Sequence, residues 1–153
     1  MSFVAIFKIS NEGPLGMTMN DIKVLCDQIR QIAFEIHQYL GYGHLEKVYE
    51  NALAHRLSKA GLRVRQQYPI KVFDEDGTLI GDYIADLFVE ELLIIELKAA
   101  SSLTHEHQAQ ILGYLKASRT EHGLLINFGA SKFEIRKFIW NQDKPQRTQN
   151  SQK

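Results

Sequence analysis

The sequence predicts an α/β domain, a mixed sheet flanked by helices, and three observations lead there. Apolar residues recur at spacings of three and four up to about residue 60. Beyond that point the period falls to two across three strand-like runs. A further helical segment then separates those runs from two closing ones, so helices and strands mix along one chain, as in a layered α/β architecture.

The elements follow in order. Gly13, Pro14 and Gly16 mark a loop, so residues 1–20 read as an extension before the folded core. Ile22, Leu25, Cys26, Ile29, Ile32, Ala33, Ile36 and Leu40 form the first helical stripe, which Asn20 or Asp21 can cap and Gly41 can end. A second helix is expected from about His44 to Ala60, with Leu45, Val48, Tyr49, Ala52, Leu53, Leu57 and Ala60 as its stripe and Gly61 as its stop. LRVRQQYPIKVF reads as a strand broken near Pro69, DEDG as a turn, and TLIGDYIADLFV and LLIIELKAA as two more strands. Helical spacing returns from about Leu103 to Arg119, and HGLLINFG and KFEIRKFIW read as closing strands. The domain is therefore expected over residues 21–140. The polar tail, 141–153, is expected to be disordered.

Composition narrows the function. The chain has 153 residues, 44% hydrophobic and 24% charged, which suits one ordinary globular domain. Its 18 basic and 18 acidic residues give a net charge of zero, so any basic surface must be local. The single cysteine, Cys26, excludes an internal disulfide framework and cysteine-built zinc or iron–sulfur sites. It lies in the apolar stripe and reads as a packing residue. A reducing, cytoplasmic setting fits. The opening MSFVAIFKIS has no basic residue ahead of its apolar run and makes a poor signal peptide. No apolar run reaches the roughly 18 residues of a membrane span.

Candidate chemistry starts from charges that the periodicity does not want. Asp86 stands in the middle of an apolar strand, and the very apolar run from Leu92 ends in Glu96-Leu97-Lys98. Buried carboxylates persist mainly when paired, hydrogen-bonded or ligating a metal. Alternation puts Glu96 and Lys98 on one face. Two carboxylates and an ammonium converging at a sheet edge are what metal-assisted phosphodiester cleavage needs. The plainer alternative is a structural Glu–Lys pair with Asp86 as a satisfied core acid, and both readings stand at this stage. Asp86 and Glu96 share a side of the sheet only if Val89 pairs with Leu93 around a Glu90–Leu92 loop; a two-residue turn would separate them.

Further residues join them. On a helical wheel Glu46 falls inside the apolar arc running from Val48 through Leu45 to Leu57. Glu50 lies at the edge of the arc and Arg56 projects from its middle, so an internal Glu–Arg pair competes with a metal-site role for these side chains. Gln110 and Tyr114 lie one helical turn apart beside Ile111 and Leu115. His105-x-His107 at a helix start reads as solvated rather than as a zinc pair.

Together, Gly43-x-x-Glu46, Asp86, Glu96-x-Lys98 and Gln110-x-x-x-Tyr114 resemble the RecB-like exonuclease branch of the PD-(D/E)XK superfamily, over roughly residues 22–140. The runs GHLEKVYENAL, GDYIADLFVEELLIIELKA, HQAQILGYL and GLLINFG look more closely still like the small stand-alone GxxExxxR family within it. The resemblance implies a restriction-endonuclease-like core with the Asp and Glu-x-Lys strands adjacent at the centre of the sheet. It implies Glu46, Asp86 and Glu96 as ligands of Mg²⁺ or Mn²⁺, Lys98 as the catalytic lysine, Gln110 and Tyr114 on the substrate side, and Glu50 and Arg56 in support. The function it implies is a metal-dependent nuclease acting on DNA sooner than RNA, with no membrane partner and a homo-oligomer left open. The alternative is a non-catalytic module that binds nucleic acid or protein on the same fold.

Overall fold

The computed structural model describes residues 19–142, so most of the expected extension (1–20) and tail (141–153) lies outside the described residues. Two helices, α1 (Met19–Leu40) and α2 (Glu46–Lys59), lead into strands β1 (Val64–Phe73), β2 (Leu79–Val89) and β3 (Leu93–Lys98). Then come α3 (His105–Ser118), β4 (His122–Asn127) and β5 (Glu134–Ile139). The sheet order is β1-β2-β3-β4-β5. Every pairing is antiparallel except β3–β4, which α3 connects as a crossover. This is the mixed sheet with helices on both faces that the sequence predicts.

Alternation along the strands divides the core in two. Leu87, Val89, Leu93, Ile95, Leu97, Leu124 and Ile126 pack against α1 and α2, while Phe88, Ile94 and Leu125 pack against Ile111, Tyr114 and Leu115 of α3. Fully burying one such side chain contributes about 1.5–3 kcal/mol. β3 is buried on both faces and sits mid-sheet, so it is the rigid element from which the Glu96-x-Lys98 pair projects.

α1 buries the predicted stripe, and Gly41, at φ +67°, closes it with a hydrogen bond from its N–H to the His37 carbonyl. Asn20 and Asp21 lie within the helix rather than capping it. α2 is rotated from its expected arc: Tyr49, Glu50, Leu53, Ala54 and Leu57 face inward, while Leu45 and Val48 are exposed. Tyr49 sets that rotation. Its ring stacks on Phe128 with centroids 4.7 Å apart, and its hydroxyl donates to the Gly41 carbonyl at 2.6 Å.

β1 is unbroken at Pro69, which pairs with Ile84. As an edge strand it can accommodate a residue lacking an N–H donor. Its register shifts instead between Val72 and Phe73, and Gln67 stands in the left-handed region at φ +54°. Among the described residues, no helix is long and apolar enough to cross a membrane.

Candidate active site

The β2–β3 ladder pairs Val89 with Leu93, Phe88 with Ile94 and Leu87 with Ile95, around the Glu90–Leu92 loop. The next step brings Asp86 opposite Glu96. There the side chains replace the ladder. The Asp86 N–H donates to Glu96 Oε1 at 2.9 Å, and the Leu97 N–H donates to Asp86 Oδ2 at 2.8 Å. Each carboxylate thus caps the opposite strand where the two part.

On the other side of β2, Gln67 and Asp86 are skipped between the pairs Gln66–Leu87 and Tyr68–Ala85. Ala85 joins the α3-side core and Leu87 the α1/α2-side core, although two residues apart on a strand ordinarily share a face. The left-handed Gln67 backbone accompanies this inversion, and strand patterning gave no sign of it. As a result Gln66 and Gln67 both reach Glu50, donating at 2.7 and 2.5 Å, and Lys47 adds a third contact at 2.7 Å. Glu50 is only 3% exposed. The Glu–Arg pair considered from sequence does not form: Arg56 stands over the Tyr39 ring, 5.8 Å from its centroid. It lies more than one helical turn along α2 from Glu50, which finds its partners on β1 instead.

The electrostatics follow from this crowding. Glu96 is 3% exposed, and burial, then the Asp86 charge, push its carboxyl from the ordinary 4.5 up to about 8. Asp86 is also raised, by burial first and by Glu50 beside it, with the Leu97 N–H and Lys98 opposing the shift. Glu46 sits in the first turn of α2 with its side chain open to solvent, outside the buried arc expected of it. Its carboxyl is nevertheless raised, by partial desolvation and then by Asp86, while Lys98 and a hydrogen bond from the Ala99 backbone act the other way. Glu46 therefore meets the acids of β2 and β3 at the mouth of the site.

Lys98 Nζ donates to Gln110 Oε1 at 2.7 Å, and Gln110 Nε2 donates to the Tyr114 hydroxyl at 3.0 Å. Burial, then Glu96, raise the Tyr114 phenol above its ordinary value. The chain of contacts runs from the lysine through the amide to the phenol, along one side of α3. His107 caps the start of α3: its Nδ1 accepts from the Thr104 N–H in a capping box.

A device absent from the sequence reading holds the end of β3. The Phe128 N–H donates to the Lys98 carbonyl at 2.8 Å, and the buried Asn127 amide pairs with both backbone groups of Ala100, at 3.1 and 3.0 Å. A Cβ on Gly129 would stand 2.2 Å from Ala100 N and from the Ala99 carbonyl carbon. Only a glycine permits that approach. The available signal was a polar Asn closing the apolar run Leu124–Ile126, two residues before a Gly.

The donors suit a hard divalent cation: three neighbouring carboxyls, each raised by burial first and by the charge of another acid beside it. Asp86 and Glu96 each commit one oxygen to a backbone N–H, and among the described residues no three His, Cys, Asp or Glu side chains already form a metal cage.

A family profile described as the PD-(D/E)XK nuclease superfamily matches residues 23–138. The chain belongs to that superfamily, whose members are generally nucleases and typically use divalent metals such as Mg²⁺. One solved structure, that of SSO0001, aligns at 18% identity and a TM-score of 0.49, covering 63% of this chain and 50% of its own, too slight a likeness to carry weight. Comparison with curated proteins gave no match.

Proposed function

We propose that the protein is a Mg²⁺- or Mn²⁺-dependent nuclease that hydrolyses phosphodiester bonds of DNA, akin to the RecB-like branch and to the GxxExxxR family. The observation that carries this reading is the pair of carboxylates at Asp86 and Glu96, opposite one another on β2 and β3 and desolvated, so that the Glu96 carboxyl is pushed up to about 8 and a cation between them would offset their repulsion. Glu46, Asp86 and Glu96 would hold the ion. When bound, it would lower the pKa of a water and polarise the phosphoryl oxygens. Lys98, anchored by Gln110, orients that water or offsets charge on the phosphate. The Tyr114 hydroxyl accepts from Gln110, which leaves its own hydrogen for a phosphate oxygen. Glu50 supports the site by accepting hydrogen bonds from the amides of Gln66 and Gln67 beside Asp86.

A second reading, a binding module without catalysis, is favoured by one observation: no preformed cage of three acids among the described residues. Incubating the pure protein with labelled single- and double-stranded DNA and RNA in Mg²⁺, Mn²⁺ or EDTA decides between them. Metal-dependent cleavage that Asp86→Asn abolishes supports the nuclease. Binding without cleavage in every metal favours the module.

A further inference from the structure

β2 outruns its partner β3. From Ala85 back to Leu79 it pairs with β1 alone, so the two strands project beyond the acids as an arm. On the arm, three residues before Asp86, stands Tyr83, which is 43% exposed. Its ring lies 5.1 Å from that of Tyr114, tilted by 33°. Through Tyr114 it joins the series that runs by Gln110 to Lys98. Tyr83 is thus an aromatic surface, braced from beneath by a second ring and open to solvent, beside the candidate chemistry.

A second, independent observation concerns charge. The net charge is zero, and several cations are already engaged: Lys47 with Glu50, Arg63 with Glu90, Arg65 with Glu91, Arg136 with Glu134. With no net positive charge, long-range attraction of the whole chain for a phosphate backbone is small, so a short-range contact at the site gains in weight. Base stacking on an aromatic ring supplies it without charge. A duplex keeps its bases stacked on one another, whereas an unpaired strand presents their faces.

We propose that Tyr83 is a base-stacking platform and that the strand bound at this site is unpaired beside the scissile phosphate. The proposal rests on the nuclease reading for its functional sense, and its test does not depend on cleavage. Anisotropy of a labelled single-stranded DNA oligonucleotide, titrated in EDTA, measures binding alone. Tyr83→Ala should weaken that binding roughly tenfold, while Tyr83→Phe, which keeps the ring, binds like the wild type. Replacing single bases by abasic units along the oligonucleotide should locate one position whose loss weakens wild-type binding by a similar factor. At that position Tyr83→Ala should show no further loss. Affinity should fall less than roughly tenfold between about 50 and about 200 mM NaCl, the slope of only one or two phosphate contacts. Equal binding by wild type and Tyr83→Ala, equal weakening by the Phe and Ala variants, or additive effects of Tyr83→Ala at every abasic position would overturn the proposal. Intact stacking together with no cleavage in any metal would leave the platform standing and remove the nuclease reading.

Discussion

Replacing Glu96 by Gln should stabilise the metal-free protein, and the gain should depend on pH. Burial and the Asp86 charge hold the Glu96 carboxyl up at about 8 in the folded state, against 4.5 when unperturbed. Between those values the folded protein keeps a proton that the unfolded chain has released, so stability falls as pH rises. The contribution is intact below about 4.5, and the loss is complete above about 8. Each pH unit within the window is worth about 1.4 kcal/mol, so the penalty at pH 7 approaches about 3 kcal/mol as an upper limit. A glutamine does not titrate, and its amide oxygen can still accept the Asp86 N–H that Glu96 Oε1 now accepts at 2.9 Å. Urea denaturation in EDTA, from about pH 5 to about pH 8.5, gives the stability of both proteins. The two should nearly coincide at the acid end and diverge toward pH 8, with Glu96→Gln the more stable. A constant offset across the range would show that Glu96 titrates normally and refute the electrostatic account of the site. The same linkage predicts that Mn²⁺, which must displace this proton, gains close to tenfold in apparent affinity per pH unit from about pH 6 to about pH 8.

Other perturbations separate the roles. Mg²⁺ or Mn²⁺ at a hundredfold excess over Kd should stabilise the wild type by about 2.7 kcal/mol, raising Tm by roughly 10 °C; Asp86→Asn should abolish that response in differential scanning fluorimetry. Lys98→Ala should keep the metal-induced shift yet lose cleavage, because the lysine acts on water and phosphate more than on the ion. Gln110→Ala frees both Lys98 Nζ and the Tyr114 hydroxyl, so titration of DNA should show weakened affinity with metal binding unchanged. Gly129→Ala forces a Cβ to within 2.2 Å of the Ala99–Ala100 backbone. That segment must shift by about 1 Å, which should cost about 1–3 kcal/mol in urea unfolding and roughly a hundredfold in cleavage rate. A folded Gly129→Ala protein cleaving at the wild-type rate would show that the clamp does not position Lys98.

Local sequence pattern carried the element order, the inward stripe of α1 and the shared face of Glu96 and Lys98, and it reduced the β2–β3 hairpin to two registers, of which the structure takes the one that brings Asp86 opposite Glu96. Each of these is a matter of period or turn length, and a single element or a single hairpin encodes it. Tertiary structure decided the rest. The rotation of α2, which put Tyr49 and Glu50 inward and left Glu46 at the rim, follows from Tyr49 meeting Phe128, a residue far along the chain. The face inversion at Gln67 and Asp86 arises where β1 and β2 pair across a skipped position, and strand alternation read along either one gives no sign of it. The clamp on β3 joins Ala100 to Asn127 and Gly129, contacts that exist only once the parallel β3–β4 pair has formed. The sequence by itself thus determined which charged residues had no place in an apolar strand. Their approach to one another, and the pKa shifts it causes, came from packing between elements, because desolvation and Coulomb repulsion depend on through-space neighbours that local periodicity does not record.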